Sequence, residues 1–251
     1  MARSRGQFGE CKLCGETGKL CNSHVIPEFC YKSIYYDRRR LVEARVSRKG
    51  FSRRIGQKGY KEPMLCAACE QKLNAWETSF RNFWCVKVIP SGPIVKKYPV
   101  VRGFAYKWMK LFHLSVIWRL HSAIGFGRID LGTYAKRIQT MLLDEEPGAA
   151  GCFPVFGCLL LNKDNSIMDK LITEPGVARC DGSHFYAVSY AGCEWLFLMT
   201  ETPTRKQQEL IDAFGIQEDG SIRLMTSHYK HSRSWDKLVR EIRLAMKGQC
   251  V

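Results

Sequence analysis

Two cysteine pairs of identical spacing constrain the fold of this chain more than any other feature. Cys11 and Cys14 form the first pair, "CKLC", and Cys66 and Cys69 form the second, "CAAC". A two-residue gap lets both thiolates of a pair reach one ion, and two such pairs match the tetrahedral coordination of structural Zn²⁺. The alternative is a set of reduced, buried thiols, because cysteine is among the most buried residue types. A redox role is less favoured, since two pairs are one more than a thioredoxin-like motif needs.

The number of cysteines and the lack of long apolar runs indicate the cellular compartment of the protein. The chain holds 12 cysteines. No uninterrupted apolar run approaches the roughly 20 residues of a membrane span, and the amino-terminal sequence lacks the apolar centre of a signal peptide. A cytoplasmic location without membrane association is therefore predicted, where thiols stay reduced. Outside the two pairs, Cys21 is the alternative zinc ligand, and the other cysteines are expected to pack in the core.

The positive charge is concentrated in the front part of the chain. Residues 1–110 contain 23 Lys and Arg against 8 Asp and Glu, a net +15, whereas the other 141 residues contain 16 of each and are neutral. Such an asymmetry indicates a front part that faces a polyanion, because Lys and Arg gain affinity by releasing counterions from phosphates. The alternative is that the basic residues serve solubility alone.

The predicted organisation is a basic tail, a zinc-bound domain and a back module. The tail covers residues 1–8, and the zinc-bound domain covers residues 9–90 with a basic insertion at 31–63. The 51 residues between Cys14 and Cys66 require such an insertion, because they exceed the spacing of a compact zinc ribbon. Within the insertion, residues 44–60 hold six Lys and Arg and no acid, which predicts a mobile loop or a twisted hairpin.

The back module, residues 100–251, is predicted to be α+β. Helical periodicity marks "FAYKWMKLFHLSVIWRLHSAIGF", "LGTYAKRIQTMLLDEE", "TRKQQELIDAFG" and "SRSWDKLVREIRLAMKG". Strands are predicted at "CFPVFGCLLLN" and at "HFYAVSY" and "CEWLFLM", the last two forming a hairpin at Ala191 and Gly192. A further helix follows the second cysteine pair in "EQKLNAWETSFRNFWCVKV".

The order of motifs resembles the zinc-bearing branch of the HNH endonucleases, whose core is a treble-clef or ββα-metal fold. The resemblance covers about residues 9–85 and depends on the first cysteine pair, "SHVIPEF", the basic insertion and "EPMLCAACE". The chain also resembles a group of bacterial proteins with "SH-x-IP", "LLCxxCE" and "LS-x-x-WR" motifs, the last of which matches "LSVIWRL" here. The resemblance implies an α+β protein with an HNH-like, zinc-bound amino-terminal part.

In that family a histidine activates the attacking water and a residue after the second cysteine pair binds a divalent cation. By position, His24 would be the general base and Glu70 the ligand of a catalytic Mg²⁺ or Mn²⁺. Ser23 departs from the family, many of whose members have an acidic ligand there. His24 can also be read as a polar core residue or as a group that binds or supports zinc. Glu70 can be read as an acid favoured at a helix N-terminus.

The predicted function is a zinc-stabilised, HNH-like protein that binds nucleic acid, DNA more than RNA, and cleaves phosphodiesters as a metal-dependent endonuclease. The resemblance suggests phage defence or mobile-element biology. The alternative is a catalytically degenerate binding or scaffold subunit, with a protein partner on the back module. The predicted phosphate-binding residues are Arg38, Arg39, Arg40, Arg45, Arg48, Lys49, Arg53, Arg54 and Lys58.

Overall fold

The computed structural model describes residues 7–47, 50–127, 129–180 and 183–228. This part of the chain is a mixed α+β structure, as predicted. The helices are α1 (Glu28–Tyr31), α2 (Ala67–Phe80), α3 (Tyr106–Ser122), α4 (Tyr134–Asp144) and α5 (Arg205–Phe214). The strands are β1 (Phe8–Glu10), β2 (Thr17–His24), β3 (Arg40–Ser47), β4 (Gly50–Gln57), β5 (Lys61–Cys66), β6 (Val100–Arg102), β7 (Val155–Leu161), β8 (Gly176–Cys180), β9 (Ser183–Tyr190), β10 (Cys193–Leu198), β11 (Ser221–Arg223) and β12 (Met225–His228).

Strands β1, β2 and β5 form an antiparallel sheet that leads directly into α2. Strand β2 ends at His24, after which Val25 and Ile26 turn into the core and are fully buried. Strand β5 ends at Cys66, and α2 begins at the next residue. The predicted helix after the second cysteine pair is confirmed, and it continues as a π-helical segment, Arg81–Val88.

The basic insertion contains the hairpin of β3 and β4. These strands pair only with each other in the described part of the chain, so they form a separate two-stranded sheet. Of the two predicted alternatives, loop or hairpin, the structure shows the hairpin. A 3-10 turn, Asp37–Arg39, precedes it.

The largest sheet has the order β12-β7-β10-β9-β8. The predicted hairpin of β9 and β10 is confirmed, with Ala191 and Gly192 both at positive φ in its two-residue turn. That geometry is the one that matches the twist of paired strands. Helix α5 begins with a capping box of Thr204 and Gln207, and Gly215 follows its last residue. The predicted carboxy-terminal helix lies outside the described residues.

Helix α3 lies at the centre of the core. Every residue from Met109 to Leu120 is buried, because the helix packs against α2 on one side and α4 on another. The rings of Phe80 and Phe112 stack at 4.0 Å, and the Trp84 indole donates to the Ala191 carbonyl at 2.9 Å. The core thus contains residues from both sides of the predicted boundary at 90–100. The division into domains stays a prediction.

Candidate functional site

The four paired cysteines come together as the sequence predicted. Cys11 and Cys14 lie in the turn between β1 and β2, and Cys66 and Cys69 lie where β5 passes into α2. The four sulfur atoms all lie within 4.8 Å of one another, an arrangement that can hold a metal ion. Cys21 is not part of this group, which is the only such cluster of three or more ligating side chains in the described residues.

The spacing of the sulfur atoms fits zinc. A tetrahedron with Zn–S bonds of about 2.3 Å has edges of about 3.8 Å. The Cys14 and Cys66 sulfur atoms are 3.8 Å apart. The turn of the first pair is closed by the Gly15 amide, which donates to the Cys11 carbonyl at 2.8 Å while Gly15 takes a φ of +81°.

Backbone amides favour a thiolate at Cys11. The Cys66 amide donates to the Cys11 sulfur at 3.2 Å. Burial raises the pKa of the Cys11 thiol, but hydrogen bonds from backbone amides, led by that of Cys14, outweigh it and lower the pKa to about 7. Burial raises the pKa of the Cys14 and Cys69 thiols. In addition, four clustered thiols cannot all ionise without a cation, because like charges repel. A Zn²⁺ bound by the four cysteines would supply that charge.

Polar contacts attach the first cysteine turn to the rest of the molecule. The Lys12 ammonium contacts the Glu62 carboxylate at 3.1 Å and the Ser122 carbonyl at 2.6 Å. The Gln139 amide donates to the Leu13 carbonyl at 2.5 Å. The candidate zinc centre is therefore anchored to both α3 and α4.

His24 lies at the exit of β2, beside the base of the β3–β4 hairpin. Its Nε2 is 2.9 Å from the Lys58 carbonyl oxygen. Because a carbonyl oxygen only accepts, Nε2 must carry the proton, and in the neutral ring Nδ1 then has the lone pair. The side chain is half-buried, with the Tyr31 ring 6.4 Å away. This tautomer is suited to accept a proton at Nδ1.

Ser23 and Glu70 face each other across β2 and α2. The Ser23 hydroxyl is fully buried and donates to Glu70 Oε2 at 2.5 Å. Glu70 directly follows Cys69 in the first turn of α2. His24 and Glu70 belong to no cluster of three ligating side chains in the described residues, so the structure does not supply a complete cation site there.

A buried arginine donates a hydrogen bond to the backbone of His24, a contact that the sequence does not indicate. Arg119, in "LSVIWRL", is 2% exposed and donates from Nη1 to the His24 carbonyl at 3.0 Å and to Glu77 Oε1 at 2.7 Å. Its Nε donates to the Ser115 carbonyl at 3.2 Å, and its Nη2 to the Ser115 hydroxyl at 3.3 Å. The contact of this motif with His24 spans 95 residues, and no local pattern in the sequence signals it.

Glu77 is the counter-charge of Arg119. Burial raises the pKa of the Glu77 carboxyl, and the neighbouring guanidinium of Arg119 opposes this rise. Glu62 lies opposite Ser23 in the sheet. Its carboxylate accepts from the Ile124 amide at 3.1 Å in addition to binding Lys12, so it joins β5 to the end of α3.

The predicted phosphate-binding residues that the structure describes lie along the hairpin and at its base. Arg38 and Arg39 are exposed, and Arg39 contacts Glu28 at 3.2 Å. Arg40 contacts Asp37 and Arg54 contacts Glu43, each at 2.5 Å. The further predicted residues on the hairpin strands are Arg45 in β3 and Arg53 in β4, and Lys58 follows β4. Arg48 and Lys49 lie outside the described residues.

Comparisons with protein-family models, with curated proteins and with solved structures find no match for this chain. In the part of the chain that the structure describes, none of the helices combines the length and the apolar character needed to cross a bilayer.

Proposed function

We propose that this chain is a zinc-stabilised, HNH-like protein that binds nucleic acid and hydrolyses phosphodiester bonds. The observation that carries the proposal is the orientation of the His24 ring, whose Nε2 is 2.9 Å from the Lys58 carbonyl, so that Nδ1 is left as a base. The order of the first cysteine turn, β2, β5 and α2 also agrees with the ββα arrangement that the resemblance implies. His24 would accept a proton from the attacking water at Nδ1.

Glu70 is the residue that would hold a divalent cation. Mg²⁺ keeps several waters and is commonly bound by one or two carboxylates together with substrate phosphates, so one carboxylate is sufficient when the substrate is bound. Such an ion would stabilise charge on the leaving oxygen. The Ser23 hydroxyl, now 2.5 Å from Glu70, would leave that carboxylate one acceptor oxygen for the ion.

Charge supports nucleic acid as the substrate. All of the net positive charge lies in residues 1–110. Arg38 and Arg39 are exposed, and the Arg39 carbonyl accepts from the Lys58 amide beside His24. Arg39, Arg40 and Arg54 pair with single carboxylates on the surface. Exposed pairs of this kind contribute little, so a phosphate can replace the carboxylate at small cost.

The second candidate function is binding without cleavage, and the Ser23–Glu70 hydrogen bond favours it. A hydroxyl at this position adds no charge to a cation site, whereas an acid would. The hydrogen bond also satisfies Glu70 in the absence of any ion. In this case the protein would be a zinc-stabilised nucleic-acid-binding or scaffold subunit.

The two functions are separated by incubating purified protein with supercoiled plasmid or short RNA in Mg²⁺ or Mn²⁺. If the protein is a nuclease, His24→Ala is expected to lower the cleavage rate by about 10² to 10⁴, the usual contribution of a general base. Glu70→Gln should weaken the dependence on the cation. The control is His184→Ala, which alters an exposed histidine on β9. Equal nicking by wild type and His24→Ala would contradict the catalytic role, and binding without nicking by any of the proteins would favour the second function.

A further inference from the structure

The hairpin of β3 and β4 is long, regular and separate from the other sheets. Eight residue pairs run from Arg40 with Gln57 to Ser47 with Gly50, without a register shift. At about 3.3 Å per residue, this ribbon is about 26 Å long. It is a two-stranded sheet in the described structure, and it makes its main contacts within itself.

Next to its base, the described part of the ribbon exposes an apolar pair to solvent. Leu41 at its base is 7% exposed, but the next pair, Val42 opposite Ile55, is 52% and 61% exposed. An isolated two-stranded hairpin is marginally stable in water. The exposed pair of Val42 and Ile55 is therefore a surface that a partner can cover.

The charge of the ribbon specifies an anionic partner. Residues 44–53, the outer part, contain four Lys and Arg and no Asp or Glu. Apolar side chains such as Val42 and Ile55 are suited to contact base edges and methyl groups, and Lys and Arg are the residue types suited to contact phosphates. The ribbon thus combines the two kinds of contact that a nucleic-acid duplex offers.

The base of the ribbon reaches the candidate catalytic histidine. Lys58, the residue that follows β4, donates its amide to the Arg39 carbonyl at 3.2 Å and accepts from the His24 ring at 2.9 Å. A duplex that lies along the ribbon would therefore have backbone phosphates near His24.

We propose that the β3–β4 ribbon enters the major groove of duplex DNA. The major groove of B-DNA, about 12 Å wide and about 8.5 Å deep, admits a two-stranded ribbon. The major groove of A-form RNA is too narrow for side chains to read, so duplex RNA does not fit. The position of the cleaved strand at His24 rests on the proposed function, but the groove contact does not.

The test is to shorten the ribbon while keeping its base. Replacing residues 44–53 by Asn-Gly joins Glu43 to Arg54, which are directly paired, through the two-residue turn that hairpins favour. This variant keeps Lys58 and loses four positive charges. The control replaces Lys136, Lys163, Lys170 and Lys206 by Ala, which removes the same charge from exposed positions in the back half.

Binding to a duplex DNA of about 20 base pairs is measured between 50 and 200 mM salt. If all four lost cations contact phosphates, the salt slope falls by about 3.6, so wild type loses about 150-fold more affinity over this range than the shortened variant. The control should keep the wild-type slope. Because the ribbon does not enter the major groove of duplex RNA, the shortened variant should lose less affinity for a duplex RNA of the same sequence than for the DNA.

Methylation of the DNA tests the groove with wild-type protein alone. The protein is expected to protect guanine N7, in the major groove, and not adenine N3, in the minor groove. Protection of adenine N3 only, or an unchanged salt slope in a shortened variant that retains zinc, would overturn the ribbon proposal. Those results would leave cleavage by His24 intact, whereas groove protection without any cleavage would overturn the hydrolytic function alone.

Discussion

The contact of Arg119 with Glu77 and His24 predicts a large and pH-dependent loss of stability when the arginine is removed. Arg119→Met keeps most of the apolar stem and deletes the guanidinium, which is 2% exposed. The Glu77 carboxylate, 17% exposed, then has no counter-charge at 2.7 Å, and the His24 carbonyl loses its donor at 3.0 Å. The variant therefore leaves a buried charge unpaired.

The expected magnitude follows from breaking one half of a buried ion pair. Removal of one partner costs about 3–5 kcal/mol, whereas replacement of both by apolar groups is often neutral. For a chain of this size, about 2–4 °C of the thermal midpoint is lost per kcal/mol, so Arg119→Met should melt roughly 6–20 °C below wild type. The matched double variant, Arg119→Met with Glu77→Leu, should recover most of that loss, because no charge remains unpaired.

The pH dependence gives an independent check. Burial already raises the pKa of Glu77, and without Arg119 the pKa rises further. A group whose folded-state pKa is raised favours folding below its unfolded pKa, and this contribution is lost as the pH rises through the folded value. The loss of unfolding free energy in Arg119→Met relative to wild type should therefore be largest at neutral pH. It should become smaller in mild acid, where Glu77 takes up a proton. Urea unfolding at a series of pH values measures it, and an equal deficit in single and double variants at every pH would refute the reasoning.

Three other perturbations test the zinc centre, the base of the ribbon and the core. Wild-type protein should retain one equivalent of zinc after dialysis. Cys66→Ser should lose this zinc, and the control Cys21→Ser should keep it. Less than about half an equivalent in folded wild-type protein would contradict the four-cysteine site. Gly59→Ala should lower the free energy of unfolding in urea by about 1–3 kcal/mol, because Gly59 has a φ of +65° and a Cβ there would lie 2.7 Å from the Tyr31 ring. The control is Gly18→Ala, where a Cβ would meet open space. Lys110→Met should stabilise the protein, because burial lowers the pKa of Lys110 to about 7 and its ammonium has no hydrogen-bond partner among the described residues. The gain, up to about 5 kcal/mol near pH 7, should decline as the pH rises towards the unfolded pKa of 10.5, and a gain that does not change with pH would exclude this cause.

The four-cysteine cluster and the main helices could be predicted because each has a local signature. The gap of two residues in each cysteine pair reflects the reach of two thiolates to one ion. The burial of α3 and the hairpin at Ala191 follow from apolar periodicity and turn chemistry, and the structure contains both. These patterns involve residues close together in the sequence.

The details of the candidate site could not be predicted, because they depend on contacts between distant residues. The partner of His24 is the Lys58 carbonyl, and every residue has a carbonyl, so no residue type identifies it. The sequence suggested a cation or a helix dipole for Glu70, and the structure adds a hydroxyl donor, Ser23. The role of Arg119 depends on how α3 packs behind β2, which the periodicity of either element leaves open.

The same contacts couple the four-cysteine cluster to the candidate site. Cys69 and Glu70 are adjacent in the first turn of α2, so an ion that fixes the cysteine also fixes the carboxylate. Ser23 binds that carboxylate, and His24 follows Ser23 at the end of β2. Arg119 holds the strand end from the opposite side through the His24 carbonyl. Removal of zinc should therefore disturb Glu70 before His24, because His24 retains a second anchor that does not pass through the metal.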